Sequence, residues 1–225
     1  MHQPSIRVDH IGDERQPVVV IDGFHPHTER LIADAATRVF STMGPYYPGV
    51  RAPVSPIYFE GLGPLLAAVM KNVFGASDRI GFDRALYSLA TTPPKDLGLA
   101  QRIPHIDGVE PGKMAIIHYL SHADHGGTAF YRHRSTGFEQ VTPERHRTYL
   151  DSLQQDFDRH GQPAAAYIAG DTPIFEKIAA YAPAFNRALV YRGNLLHCAM
   201  MPADSLLSPD ITLGRLTVAS FLSVD

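Results

Sequence analysis

Apolar residues recur along this chain with two periods, and the change comes near residue 82. Residues 16–24 (Gln-Pro-Val-Val-Val-Ile-Asp-Gly-Phe) form a short continuous apolar run closed by a turn signal, which predicts a buried strand. Over residues 28–43, Leu31, Ile32, Ala35, Ala36, Val39 and Phe40 make one stripe at helical spacing, stopped by Gly44-Pro45. Residues 61–74 predict a second helix, with Pro64 suited to its first turn. Both helices are expected to pack outside a sheet.

Beyond Phe82 the segments shorten and become rich in β-branched and aromatic residues between Gly/Pro turns. Residues 85–91, 101–107, 113–121 and 128–132 are predicted strands. Thr142-Pro143-Glu144 then opens a helix whose stripe is Tyr149, Leu150, Leu153 and Phe157, ended by His160-Gly161. A further helix is expected from Thr172-Pro173, carrying Ile174, Phe175, Ile178 and Ala179. Two last strands surround His197 and Arg215. The fold class is mainly β with flanking helices (α+β), a jelly roll of the cupin-like, double-stranded β-helix type. The expected organisation is a single domain over 1–225. In it, 1–81 supplies a strand and support helices, and 82–225 a jelly-roll core with a helical insert at about 135–184.

Composition narrows the classes of partner. A formal charge of −3 gives no reason to expect a nucleic-acid or anionic-membrane partner. The single cysteine, Cys198, excludes an internal disulfide framework and fits a reducing compartment. The N-terminal residues lack the apolar core of a signal peptide, and no apolar stretch approaches the ~20 residues of a membrane helix. A cytoplasmic protein with no membrane partner is the expectation; the oligomeric state is not legible.

Twelve histidines make metal chemistry worth weighing, and equally make accidental motifs common. His105-Ile106-Asp107 places an imidazole and a carboxylate two residues apart, on one side of an extended backbone. It ends an apolar segment and precedes Gly108, the position of a strand mouth. His122-Ala123-Asp124 has the same spacing, but it is polar and precedes Gly126-Gly127, so it reads as a tight turn. His197 lies in a second apolar run and offers a third ligand. Two His and one carboxylate on one face of an ion, with the other positions open, suit a non-heme Fe(II) site. Alone, His197 reads as a core histidine; with the pair and the downstream Arg215 it reads as a ligand.

Arg215 opens a half-buried strand, and a guanidinium there needs an anion, since an unpaired buried charge costs several kcal/mol. That anion is either an internal carboxylate or the carboxylate of a bound co-substrate, with Thr217 on the same face as a further donor. His25 and His27 read as surface, His10, His133, His146 and His160 as solvated, His118 as a satisfied sheet residue opposite Tyr119, and Cys198 as inert core.

These residues together resemble the Fe(II)/2-oxoglutarate-dependent dioxygenases, in their prolyl-4-hydroxylase-like branch, from about Phe82 to the C-terminus. His105-Ile106-Asp107 and His197 match the metal triad of that family. His118-Tyr119-Leu120-Ser121 followed by Gly126-Gly127-Thr128-Ala129-Phe130 resembles its strand, Tyr-Leu and double-glycine pattern. Arg215-Leu216-Thr217 resembles its co-substrate anchor, and 19–24 its entry strand. The resemblance implies Fe(II) on His105, Asp107 and His197, which would be both metal ligands and catalytic centre. It implies 2-oxoglutarate on Arg215, Thr217 and Tyr119, and O2 as second co-substrate. The implied reaction is hydroxylation of a C–H bond with release of succinate and CO2; the carboxylate of Asp107 favours hydroxylation over halogenation.

The chain departs from that branch in three places. The His197–Arg215 separation is long, with a loop at 202–209, while 46–51 and the insert between Arg134 and Ala184 have no counterpart in the peptidyl-prolyl enzymes. The pattern is closer to a bacterial subgroup, and proline hydroxylation is not implied; the substrate is a small molecule or a peptide. Tyr46, Tyr47, Arg51 and the 202–209 loop are candidate rim elements. Two other readings share the triad: a metal-binding or sensor jelly roll without turnover, and a Zn(II) hydrolase. Neither needs an oxo-acid clamp at Arg215.

Overall fold

The computed structural model describes residues 3–76, 79–203 and 205–224; Asp204, inside the 202–209 loop, lies outside the described residues, as do Met1 and His2. Ten strands and three α-helices run in the order β1 (Ser5–Ile11), β2 (Gln16–Asp22), α1 (Thr28–Ala36), β3 (Gly49–Pro53), α2 (Gly63–Phe74), β4 (Ile80–Ala90), β5 (Lys113–Tyr119), β6 (Gly127–His133), α3 (Pro143–His160), β7 (Phe175–Tyr181), β8 (Arg187–Arg192), β9 (His197–Met200) and β10 (Leu216–Val224). They form a seven-stranded sheet, β1-β2-β8-β5-β10-β4-β3, facing a three-stranded sheet, β7-β6-β9. Neighbouring strands pair antiparallel throughout both sheets. This is the jelly roll expected from the pattern of short strands.

Strand alternation sorts the apolar side chains into three layers. On the outer face of the large sheet, Tyr87, Leu89, Ile116, Val190 and Val218 pack against Leu31 and Ala35 of α1 and Leu66, Val69, Met70 and Phe74 of α2. Between the sheets lie Val18, Val20, Tyr119, Phe130, Leu189, Tyr191 and Leu195. Outside the small sheet, Ala129, Tyr131 and Cys198 pack under Tyr149 and Leu153 of α3. Each fully buried large side chain contributes about 1.5–3 kcal/mol, so the helices hold the sheets in shape without entering the space between them.

Several elements differ from the sequence expectation. α1 stops at Ala36 instead of running to Met43, because Ser41 leaves the helix to exchange backbone hydrogen bonds with Arg51 of β3 (2.9 and 2.8 Å); Val39 is 87% exposed. β1 and β3 were not predicted, and β4 begins at Ile80. Residues 101–107 do not form a strand. A 3-10 turn at Leu99–Gln101 precedes Pro104, which has no N–H to give to a ladder, and only an isolated bridge, His105 to His197, follows. The helix expected from Thr172 is strand β7.

Candidate metal centre

β9 and the segment after Pro104 bring the first two imidazoles together. The backbones of His105 and His197 exchange N–H···O=C bonds, both 2.9 Å. Two residues on, the Asp107 N–H donates to the Gly193 carbonyl (2.7 Å), which fixes the carboxylate beside both rings. One ligand atom from each of His105, Asp107 and His197 lies within 4.8 Å of the others, so the group could hold a metal ion. Asp107 Oδ2 is 3.4 Å from His197 Nε2, and Oδ1 is 3.8 Å from His105 Nε2.

The tautomer of His197 is set by the chain itself. Nδ1 donates to the Leu195 carbonyl at 2.8 Å, leaving the Nε2 lone pair turned toward Asp107. The ring is wedged by Tyr191 (centroids 4.8 Å apart) and Phe130 (6.2 Å). Loss of hydration, followed by the neighbouring His197 ring and the Arg51 charge, holds His105 below the ordinary histidine range, although 51% of its side chain is open. Burial pushes the Asp107 carboxyl up, opposed by His197, Arg51 and Arg84.

Behind the triad, pairing across the large sheet aligns Tyr119 of β5, Thr217 of β10, Ser88 of β4 and Arg51 of β3 as successive Cα partners. Partners in an antiparallel sheet share a face, and Tyr119 places this row between the sheets. Arg215, two residues before Thr217, is 3% exposed. Its Nε and Nη2 donate to the carbonyls of Gly126 and Gly127, both at 3.1 Å, and its guanidinium lies 5.5 Å from the Tyr119 ring centroid. Among the described residues, no carboxylate oxygen comes within 4.0 Å of it. Of the two anions that the sequence left open, the internal one is therefore missing among those residues. Tyr119 and Thr128 join hydroxyls at 2.7 Å, and Thr217 donates weakly to the Ser88 carbonyl at 3.5 Å.

The double glycine explains how those carbonyls reach Arg215. A Cβ on Gly127 would lie 1.7 Å from the Tyr181 carbonyl oxygen, and one on Gly126, where φ is +83°, 2.1 Å from that of Met200. Only glycine lets this turn pass so close to β7 and β9.

The competing pair goes elsewhere. His122 is exposed and stacks on Phe185 (centroids 3.9 Å apart), and Asp124 accepts the Gly126 N–H at 2.9 Å, as expected of a turn. Cys198 faces away from His197 into the layer under α3, and burial pushes its thiol up to about 12. Three histidine expectations are corrected. His25 is 2% exposed rather than on the surface, because Asn186 accepts its backbone N–H and donates to its carbonyl. His133 is fully buried rather than solvated, with Nε2 3.0 Å from Asp156 of α3. His118 bonds Asn186 through Nε2 (3.0 Å), but its Nδ1 has no partner among the described residues, so it is half satisfied there. Ser88, Arg84 and Tyr191 were not singled out from the sequence; the signal for the first two was their i, i+4 spacing on one strand face.

Solved structures share this architecture over 93% of the chain. SnoN, described as a non-heme α-ketoglutarate-dependent epimerase from nogalamycin biosynthesis, aligns with a TM-score of 0.54 at 12% identity, over 78% of its own chain. HygX from Streptomyces hygroscopicus aligns in an iron-bound form (TM-score 0.52, 14% identity) and in a form with nickel and 2-oxoglutarate (0.51, 13%), each over 83% of that chain. At these identities the likeness establishes the fold. No protein of curated function matches by sequence. A family model described as a family of unknown function, DUF6445, matches residues 2–222.

Proposed function

Starting from a chain that belongs to DUF6445, a family whose description assigns no activity, we propose that it is a non-heme Fe(II)- and 2-oxoglutarate-dependent dioxygenase. The observation that carries this reading is the pairing of two incomplete charge sets against one inter-sheet layer: a His-Asp-His group beside Tyr191 and Phe130, and a buried Arg215 beside Tyr119 with no carboxylate oxygen near it among the described residues. A structural metal site or a zinc hydrolase accounts for the first and leaves the second unexplained.

His105, Asp107 and His197 would hold the iron. Arg215 would take the distal carboxylate of 2-oxoglutarate through its planar fork, with the Thr217 hydroxyl and, on the other flank, the Tyr119 phenol as further contacts. Bound iron with 2-oxoglutarate would supply activation of O2 for hydroxylation of a substrate C–H bond, with release of succinate and CO2. The chain's own part is positional: Leu195 orients His197, Gly126 and Gly127 orient Arg215, and the apolar walls of Tyr191 and Phe130 shield the His197 ring, while His105 stays open on one side. Placement in the prolyl-4-hydroxylase-like branch rests on the Tyr119-Leu120 and Gly126-Gly127-Thr128 pattern, and hydroxylation over halogenation on Asp107.

The test is an anaerobic titration of metal-free protein with Fe(II) and then 2-oxoglutarate, followed by visible absorption. A charge-transfer band that needs both components and fades in His197→Ala is the expected result. A folded protein that binds iron but gives no band, and no succinate under O2, would overturn the reading in favour of a metal-binding module or zinc enzyme.

A further inference from the structure

Arg51 stands at the end of the row that contains Thr217 and Tyr119, on the edge strand of the large sheet. Arg84 is on the same face of β4, four residues before Ser88, with its guanidinium 5.0 Å from the Phe221 ring centroid. Arg51 is half-buried, with its guanidinium carbon over the Tyr47 ring, 3.9 Å from the centroid. Its Nε is buried with no hydrogen-bond partner among the described residues. The Tyr47 hydroxyl is also buried; it lies near Ser88 without forming a bond of ordinary geometry. Among the described residues, neither arginine has a carboxylate oxygen within 4.0 Å.

Arg51 and Arg84 thus share one face of the β3–β4 edge, near enough for Arg51 to feel the charges of Arg84 and of Asp107. Burial holds the Arg51 charge below its ordinary range and the like charge of Arg84 adds to that, while Tyr47 and Asp107 oppose it. Asp107 does not relieve the pair once its carboxylate is committed to a metal. Resting on the function proposed above, a divalent ion and Arg215 are balanced by Asp107 and the two carboxylates of 2-oxoglutarate. Arg51 is then left over, with the exposed Arg84 on the same face, and a half-buried cation without an anion is costly.

We infer that Arg51, with Arg84 on the same sheet face, receives the primary substrate, and that this substrate carries an oxyanion, a carboxylate or a phosphate. The Arg51 fork, with Nε unpartnered among the described residues, matches such a group bidentately, and contact with the Tyr47 ring restricts where the guanidinium can move. The oxyanion would then sit at the β3–β4 edge, with the Tyr47 hydroxyl in reach of both the Arg215 and the Arg51 charge, and the bond to be oxidised would lie between that anchor and the triad.

The experiment uses full-length protein saturated with Fe(II) and 2-oxoglutarate under anaerobic conditions, so that Arg215 is occupied. Benzoate and phenyl phosphate, with benzamide and phenol as uncharged controls, are titrated at constant ionic strength and followed by thermal shift. At least one anion is expected to raise the melting temperature where its uncharged partner does not; which of the two does so separates carboxylate from phosphate. Arg51→Gln should weaken that binding by at least about tenfold. Arg84→Gln, a change at an exposed residue that leaves the core intact, should weaken it by less. Both variants should keep the wild-type 2-oxoglutarate affinity, read from the charge-transfer band. Anions no better than their controls, unchanged anion binding in folded Arg51→Gln, or loss of 2-oxoglutarate affinity in that variant would each overturn the inference. A wild-type band without anion discrimination sinks this inference alone; absence of the band sinks the function proposed above.

Discussion

His197 donates its Nδ1 proton to the carbonyl oxygen of Leu195 across 2.8 Å, two residues back along its own chain. This bond costs no other side chain and settles which ring nitrogen is free. Nε2 is left as a lone pair 3.4 Å from Asp107 Oδ2, and the bridge between His105 and His197 puts the second imidazole on the same side. The convergence of the three donor side chains thus follows from backbone pairing.

The first consequence concerns Asp107. Asp107→Ala removes one of three converging donors but touches no helix or sheet contact, so the protein should stay folded. Altering a mere supporting partner of a metal ligand typically costs roughly 10–100-fold in affinity. Loss of the carboxylate should cost Fe(II) binding at least that much and abolish 2-oxoglutarate turnover. Equilibrium dialysis with iron analysis, together with succinate release, checks both; turnover at the wild-type rate would refute the triad.

Arg215 makes a separate prediction. Its fork already spends Nε and Nη2 on two glycine carbonyls, so what it offers a carboxylate depends on guanidinium shape as well as charge. Arg215→Lys keeps the charge and loses the fork. A charge-assisted hydrogen bond contributes about 1.5–3 kcal/mol, so 2-oxoglutarate affinity should fall by roughly tenfold or more. Fe(II) affinity should not change, because the triad does not use Arg215. Titration of the charge-transfer band measures the first and dialysis the second; an unchanged 2-oxoglutarate affinity would remove Arg215 from the site.

What could be read in the sequence was whatever is local. The His105–Asp107 spacing, the turn at 122–127, the proline-started helices α2 and α3 and the alternation of Cys198 away from His197 all depend on a few neighbouring residues. β7 was misread because a register shift in its pairing with β6, opposite Phe130/Tyr131, breaks its alternation. Phe175 packs outward under α3, while Ile178 and Ala179 pack inward between the sheets, and this spacing imitates a helical stripe. The burial of His25 and His133 was illegible for another reason. Their partners, Asn186 and Asp156, are 161 and 23 residues away, brought near by pairing that no local pattern encodes. Arg51 could be placed at a rim, but its alignment with Thr217 and Tyr119 needed the strand order.

The glycine pair behind Arg215 should be intolerant of even one methyl group. In Gly127→Ala the new Cβ would fall 1.7 Å from the Tyr181 carbonyl oxygen, a backbone atom that cannot swing aside. β6 must move from β7 and carry the Gly126 and Gly127 carbonyls with it. Overpacking of this kind costs about 1–3 kcal/mol, so thermal unfolding should shift down by several degrees. The 2-oxoglutarate affinity should drop with it while Fe(II) binding is kept. Equal loss of both affinities would mean the strand shift reaches β9, and that Gly127 supports the whole site rather than the arginine.

The fold also carries a built-in acid sensitivity away from the metal site. His118 is fully buried on the outer face of β5, its ring 5.0 Å from that of Phe24 and 6.4 Å from that of His25. Loss of hydration holds it down to about 3, against a partial offset from Asn186, and the nearby His25 adds to the depression. The folded state therefore refuses a proton that the unfolded chain accepts near its ordinary value of 6.5. The sign follows directly: the neutral ring costs nothing above about pH 6.5, and stability is lost progressively as pH falls toward 3. The slope is about 1.4 kcal/mol per pH unit for one such group. From pH 6.5 to 5 the loss from His118 alone should approach roughly 2 kcal/mol. Urea unfolding of metal-free protein at a series of pH values reads this slope, and His118→Asn should flatten it whatever its effect on stability at pH 7. A slope over pH 5–6.5 that is the same in the variant would show that the ring is protonated in the folded state and that other groups set the acid limit.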